Sequence, residues 1–176
     1  LSKFVSFIGR SVINADNEQI DELLKTSPII KEKIIKFWDW VLEKKQNVGI
    51  FKEFGPWINL EKDIFEHKWL IEHVKQTLEK SQGLLDWDLG LLKSISKFAE
   101  VSAKDALEIT KLFLLDSWEN RKQSNVFYHV DKEWLDTFII LYNNPETKDE
   151  TYKLINDLIL KGGSVFWELE KIVKKS

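Results

Sequence analysis

Apolar residues recur at spacings of three and four over nearly the whole chain, and this periodicity constrains the fold more than any other feature. Residues three or four apart lie on one face of an α-helix, whereas the two-residue repeat of a half-buried strand is not sustained. The stretch VFYHV (126–130) is the one segment whose alternation is compatible with a strand. The pattern therefore predicts an all-α protein.

The predicted helices share an apolar face and are separated by short polar turns. We expect them at about 18–26, 28–45, 65–81, 88–101 and 103–118, with three more behind Asp131, Asn144 and Ser164. Pro145 suits a first helical turn, and the pair Gly162-Gly163 suits the end of a helix. Short connections make neighbouring helices antiparallel. Together with a short helix near Phe51, the chain is expected to form about nine helices.

A faint internal period relates two parts of the chain. Segments 91–115 and 135–160 each contain an apolar helix, a tight polar turn and a second apolar helix, and Ile109 corresponds to Leu154, 45 residues further on. Periods of this size are typical of HEAT and armadillo repeats. We therefore predict antiparallel helical hairpins stacked as a HEAT/armadillo-like α-solenoid. An irregular helical bundle is the competing fold.

The stretch FKEFGPWIN (51–59) crowds three aromatic rings around a Gly-Pro step. Pro56 lacks an N–H donor and clashes with the previous turn, so a helix is expected to end or kink there. Trp57 can then fold back onto the face shared by Phe51 and Phe54. Burying one large side chain stabilises a fold by about 1.5–3 kcal/mol. We predict a structural aromatic corner, and a ligand pocket lined by the three rings is the alternative.

The charge balance disfavours several classes of protein. The chain has 26 Lys and Arg against 29 Asp and Glu, and its only arginines are Arg10 and Arg121. A nucleic-acid partner is unlikely on this composition, because such binders carry a basic stripe rich in arginine. The absence of Cys excludes disulfides and thiolate metal sites. The sequence contains no run of about 18 apolar residues, so no membrane span is predicted. We expect a cytoplasmic protein.

Residues that could carry chemistry do not form a recognisable motif. His67 and His73 are six residues apart, about 240° around a helix, so they do not converge on one metal ion, and His73 suits a surface or boundary position. Asp86 and Asp88 could hold a divalent cation, but capping a helix is the more ordinary use of such residues. We predict no catalytic residue, no metal site and no cofactor. A small enzyme or metal-binding domain whose acids or histidines assemble only in the fold is the alternative.

The longest irregular stretch is ENRKQSNVFYHVD (119–131). Loops longer than about 12 residues are often functional. Arginine and aromatic side chains also anchor many protein interfaces. We predict a protein-contact loop whose contact residues are Arg121, Lys122, Phe127 and Tyr128. The alternative is a loop whose aromatic rings cover the ends of the neighbouring helices.

Several segments together resemble one family. They comprise a Phe-Gly-x-Trp element, a short polar link, a helix opened by Trp69 and two long helical stretches: FGPW (54–57), LLKSISKFAEVSAKDALEITKLFLL (91–115) and TYKLINDLILKGGSVFWELEKIV (151–173). This plan is similar to the C-terminal helical-repeat regions of large bacterial multidomain proteins associated with antiphage defence, which carry a nucleotide-hydrolysing or sirtuin-type effector domain upstream. The resemblance covers roughly residues 48–173. It departs at Pro56, where that pattern often holds a second aromatic residue.

The resemblance implies a HEAT-like scaffold or sensor region, with catalysis elsewhere in the parent chain. Residues 48–176 would form the repeats, and residues 1–47 would add N-terminal helices as an extra or capping hairpin. Because the chain begins at Leu1 and has no Met, we expect one continuous domain excised from a longer protein. Its expected partner is another protein, another domain of the parent chain, or a second copy. A structural spacer is the remaining alternative.

Overall fold

The structure is a computed structural model that describes residue 9 and residues 15–44, 48–58, 64–86, 89–116, 132–163 and 166–175. These residues form helices and turns, without a strand among them, so the predicted all-α class is confirmed. The stretch VFYHV lies outside the described residues. The α-helices are α1 (Asn17–Thr26), α2 (Ile29–Lys44), α3 (Val48–Lys52), α4 (His67–Ser81), α5 (Leu89–Val101), α6 (Ala103–Lys111), α7 (Lys132–Asn143), α8 (Lys148–Leu160) and α9 (Phe166–Val173).

Side-chain caps determine where three of these helices begin. Asp16 precedes α1 and forms a capping box with Gln19. Glu66 precedes α4, and its carboxylate accepts hydrogen bonds from the backbone N–H groups of Lys68 and Trp69. Ser102 caps α6. Each cap satisfies backbone donors that have no partner inside the helix.

Two predicted helix boundaries are wrong. The helix expected to begin near Pro145 begins at Lys148, because Asn144 accepts a hydrogen bond from the backbone N–H of Glu146 and holds a turn in front of α8. The α-helix expected over 103–118 ends at Lys111 and continues as a π-helical segment, Leu112–Asp116. A π turn contains more residues than an α turn, which shifts the face that packs inward. Within this segment Phe113 and Leu114 are buried, whereas Leu112 is half-buried.

The chain divides into two compact units, residues 1–94 and 95–176. In the first unit α2 contacts α1, α3 and α4, and α3 contacts α4. In the second unit α7, α8 and α9 contact one another, and α6 contacts α7. The predicted division between N-terminal helices and repeats, at residues 47 and 48, stays a prediction. The helices on the two sides of it lie in the same unit: α2 before it, and α3 and α4 after it.

The cores of the two units have similar compositions, since each buries five aromatic side chains and more aliphatic ones among the described residues. Their rings are arranged differently. In the first unit four rings contact Trp38, whereas in the second Phe113, Trp134, Phe138 and Phe166 contact one another in a row. No helix among the described residues is long and apolar enough to span a membrane.

Candidate functional site

The Gly-Pro corner is closed by backbone contacts. Gly55–Trp57 forms a 3-10 helix directly after the turn that ends α3. A Cβ on Gly55 would lie 1.9 Å from the carbonyl oxygen of Asp86, so no other residue fits without moving the backbone. The backbone N–H of Asp86 also donates to the carbonyl of Lys52 at 3.0 Å. The glycine is therefore required by the close approach of the chain at Asp86.

The three corner rings lie in the core of the first unit. Phe51, Phe54 and Trp57 are at most 2% exposed. Phe54 stacks on Trp38 of α2, with ring centroids 4.5 Å apart and planes 9° from parallel. Trp57 packs against Phe65, which precedes α4, at 6.0 Å. These positions hold α2 and the start of α4 against the corner and leave no accessible ring face for a ligand.

Trp38 is the centre of this aromatic cluster. It is fully buried, and its Nε1–H donates to the Thr77 hydroxyl of α4 at 2.8 Å. The indole edge also meets Trp69 at 5.6 Å and Phe65 at 6.1 Å. One side chain therefore joins α2 to α4 by both packing and a buried hydrogen bond, which fixes the register between the two helices.

The cluster continues from the core to the surface along α2. Phe37 lies 5.9 Å from the buried ring of Phe54, and it stacks on Trp40 at 5.9 Å with planes 27° apart. Trp40 is nevertheless 43% exposed. It shares the side of α2 opposite Trp38 with Ile29, Lys33 and Lys36, since residues 29, 33, 36 and 40 follow the helical repeat. We call these four residues the α2 outer face.

His73 lies beneath this surface, between α2 and α4. Its Nδ1 is 2.9 Å from the carbonyl oxygen of Trp69, and its Nε2 is 2.7 Å from Oδ1 of Asp39. The ring stacks on Trp69 at 3.7 Å, and its side chain is 11% exposed. The sequence analysis expected a surface or boundary position for His73. The ring lies at the boundary and not on the surface, because Asp39 and the two indoles cover it. Both nitrogens are engaged, so in this geometry neither can take a proton from a substrate.

The other residues singled out for chemistry are not brought together. His67 and Asp86 are exposed, and Asp88 lies outside the described residues. Among the described side chains, no group of three His, Cys, Asp or Glu residues could hold a metal ion.

The second unit has a polar cleft with a volume of about 380 Å³ between α6 and the start of α8. Its lining residues are Lys104, Leu107, Glu108, Lys111, Glu146, Thr147 and Glu150. Lys104 pairs with Glu146 at 3.4 Å, and Lys111 pairs with Glu150. The hydrogen bond and positive charge of Lys111 lower the pKa of the Glu150 carboxyl. Four of the five charged lining residues thus form ion pairs that join α6 to α8 and its preceding turn.

The predicted contact loop lies outside the described residues. The role of its four contact residues, Arg121, Lys122, Phe127 and Tyr128, therefore stays a prediction.

The sequence analysis missed the α2 outer face, although the sequence carries its signal. Ile29 and Trp40 fall opposite the inward residues of the same helix and give α2 more apolar side chains than one buried face needs.

Comparisons with protein-family models, with curated proteins and with solved structures gave no match to this chain.

Proposed function

We propose that this chain is a non-catalytic protein-interaction region, serving as a scaffold or sensor in a larger protein, and that the α2 outer face is one of its contact surfaces. The observation that carries the proposal is the state of Trp40. Its ring is exposed, yet it is held in place by Phe37, which rests on the buried ring of Phe54. Tryptophan is the residue type most enriched in interface hot spots.

The support beneath Trp40 matters for affinity. A side chain that is ordered before binding loses little conformational entropy on association. The stacked Phe37 ring orders the Trp40 side chain in this way, because it contacts both the exposed indole and the core. Ile29, three turns away on the same face, is 55% exposed and provides a second apolar anchor.

The polar residues between these anchors suit a protein partner. Lys33 and Lys36 are exposed between Ile29 and Trp40, and Lys36 pairs with Glu32 of the same helix. Apolar anchors within a polar surround resemble the general composition of protein interfaces. The partner is a protein, another domain of the parent chain, or a second copy of the chain.

HEAT-like stacking is part of the proposal. It is supported by the way consecutive helices pack: α7 and α8 contact each other across a four-residue turn, and α9 contacts both. The same arrangement would suit an irregular bundle, so the internal period of the sequence decides our choice. The role in a cytoplasmic bacterial protein of antiphage defence rests on the resemblance of residues 48–173 alone.

Photo-crosslinking tests the contact surface. A photoreactive amino acid at Lys33, on the α2 outer face, is compared with one at Lys153, an exposed position of the second unit, in cells that make the full parent protein. We expect a discrete adduct from position 33 that is lost when Trp40→Ala is added. The adduct should survive Trp167→Ala, a matched removal of an indole that is 54% exposed.

Two results would contradict the proposal. One is an adduct from position 33 that is unaffected by Trp40→Ala. The other is no adduct from position 33 while the variant proteins keep wild-type thermal stability, which would favour a spacer. Sedimentation velocity of the 176-residue chain then distinguishes a second copy from a different partner, since only self-association changes the sedimentation coefficient of the isolated chain.

A further inference from the structure

His73 is held at the junction of two helices by oxygen atoms on both sides. The Trp69 carbonyl belongs to α4, the helix that carries His73, whereas the Asp39 carboxylate belongs to α2. The imidazole also stacks on the Trp69 indole and meets the edge of the Trp38 indole at 5.8 Å. The ring is therefore fixed in orientation, and each nitrogen faces one defined partner.

The hydrogen-bond inventory of histidine makes this arrangement sensitive to protonation. A backbone carbonyl and a carboxylate both accept hydrogen bonds and donate none. A neutral imidazole has a single N–H donor, whereas the imidazolium has two. Only the protonated ring can donate to Trp69 and to Asp39 at the same time. The neutral ring would direct a lone pair at one of the two oxygens.

One charged group is bonded to the ring. Among the described residues, Asp39 is the only charged side chain that forms a hydrogen bond or ion pair with the imidazole, and it forms no other such bond there. The Asp39 neighbours on α2 pair with each other, Lys36 with Glu32 and Glu43 with Lys44. The remaining described titratable groups on these helices and on those packed against them make no hydrogen bond or ion pair with the ring: Lys31 and Lys33 on α2, Glu18, Glu22 and Lys25 on α1, Lys52 on α3, and His67, Lys68, Glu72, Lys75, Glu79 and Lys80 on α4.

We propose that His73 is a pH-sensitive joint: as the imidazolium it ties α2 to α4 through Asp39, and loss of the proton loosens that connection. The imidazolium and carboxylate attract each other and share a charge-assisted hydrogen bond. The neutral ring keeps its stacking on Trp69 but cannot donate to both oxygens. The joint is thus complete while the imidazole carries a proton on both nitrogens and weakened when it carries only one.

A double-mutant cycle tests the joint in the 176-residue chain. The variants are Asp39→Asn, His73→Gln and the double substitution, each measured by urea unfolding at about pH 5.5 and about pH 8.5, on either side of the usual histidine titration. Stacking lost with His73 is lost in both backgrounds, so the cycle isolates the Asp39–His73 interaction. We expect coupling of about tenfold in the folding equilibrium constant at the lower pH, and little at the higher pH.

His67→Gln is the matched control, since His67 is an exposed histidine of the same helix. It should leave the coupling unchanged at both pH values. Nitrogen-15 NMR of the wild-type protein gives a readout that needs no variant: at the lower pH both ring N–H protons of His73 should be protected from exchange, unlike those of His67. Coupling that is equal at the two pH values, or unprotected His73 ring protons at the lower pH, would overturn the proposal.

Discussion

The two units of this chain are stabilised in different ways. In the first, a few large rings around Trp38 make specific contacts, among them a buried hydrogen bond to Thr77 and the cover over His73. In the second, the buried rings of Phe113, Trp134, Phe138 and Phe166 contact one another in a row, and exposed Lys–Glu pairs join α6 to α8 and its preceding turn. Exposed ion pairs contribute little to stability, so the second unit depends mainly on its buried packing.

This contrast has consequences for how each unit tolerates change. A large buried ring takes part in many contacts at once, so its loss affects several helices. An exposed ion pair affects only its own two side chains. Removing Trp38 should therefore have a larger effect than removing an exposed ion pair, and the pairs His73–Asp39 and Lys111–Glu150 should respond to pH in opposite directions.

Removing Trp38 should have the largest effect. Trp38→Ala leaves a cavity among Phe54, Phe65 and Trp69 and deprives the Thr77 hydroxyl of its donor. We expect a loss of about 3–5 kcal/mol in the free energy of unfolding, measured by urea denaturation. Trp167→Ala, at an exposed indole of the second unit, should change it by no more than about 0.5 kcal/mol. Equal losses from the two substitutions would show that Trp38 is not a packed centre of the first unit.

Two glycines, one in each unit, give the next comparison. Gly55→Ala places a methyl group against the carbonyl of Asp86 and should cost about 3 kcal/mol, because the backbone must move. Gly162→Ala meets no atom within 4 Å, and its cost of about 1 kcal/mol comes only from its φ of +96°. Thermal unfolding of both variants measures the difference. A Gly55→Ala protein as stable as Gly162→Ala would show that the corner is not closed by the Asp86 backbone.

The sequence predicts local features of this fold better than its contacts between helices. The inward side of α2 follows from the spacing of Ile34, Trp38 and Val41, because periodicity and helix geometry decide it together. The π-helical segment carries no comparable signal, since the difference between an α and a π turn depends on how Phe113 and Leu114 fit their neighbours. Trp40 could have been placed on the surface from its angle around α2.

The contact of His73 with Asp39 could not have been foreseen. The two residues are 34 positions apart, and their meeting depends on the register in which α2 packs on α4. That register is set by Trp38 and Thr77, not by any pattern within either helix. The sequence analysis excluded a shared metal for His67 and His73 by their angle, but angle alone says nothing about partners from another helix.

The smallest expected effect concerns the sign of the pH response at two pairs, Lys111–Glu150 in the second unit and His73–Asp39 in the first. Lys111 lowers the pKa of Glu150 from its ordinary value of 4.5 in the folded protein, so the pair stabilises the fold above that value and loses its contribution as the pH falls through the lowered pKa. In the proposed joint, the His73–Asp39 interaction would instead weaken as the pH rises. Glu150→Gln should therefore flatten the acid side of the stability profile, and His73→Gln the basic side, in urea denaturation followed over a pH series. Because both side chains of the Lys111–Glu150 pair are exposed, whereas the His73 ring is buried beside a half-exposed Asp39, added salt should reduce the effect of Glu150→Gln more than that of His73→Gln. If salt removed both effects equally, the two pairs would be equivalent surface contacts, and the difference between the units would lie in their rings alone.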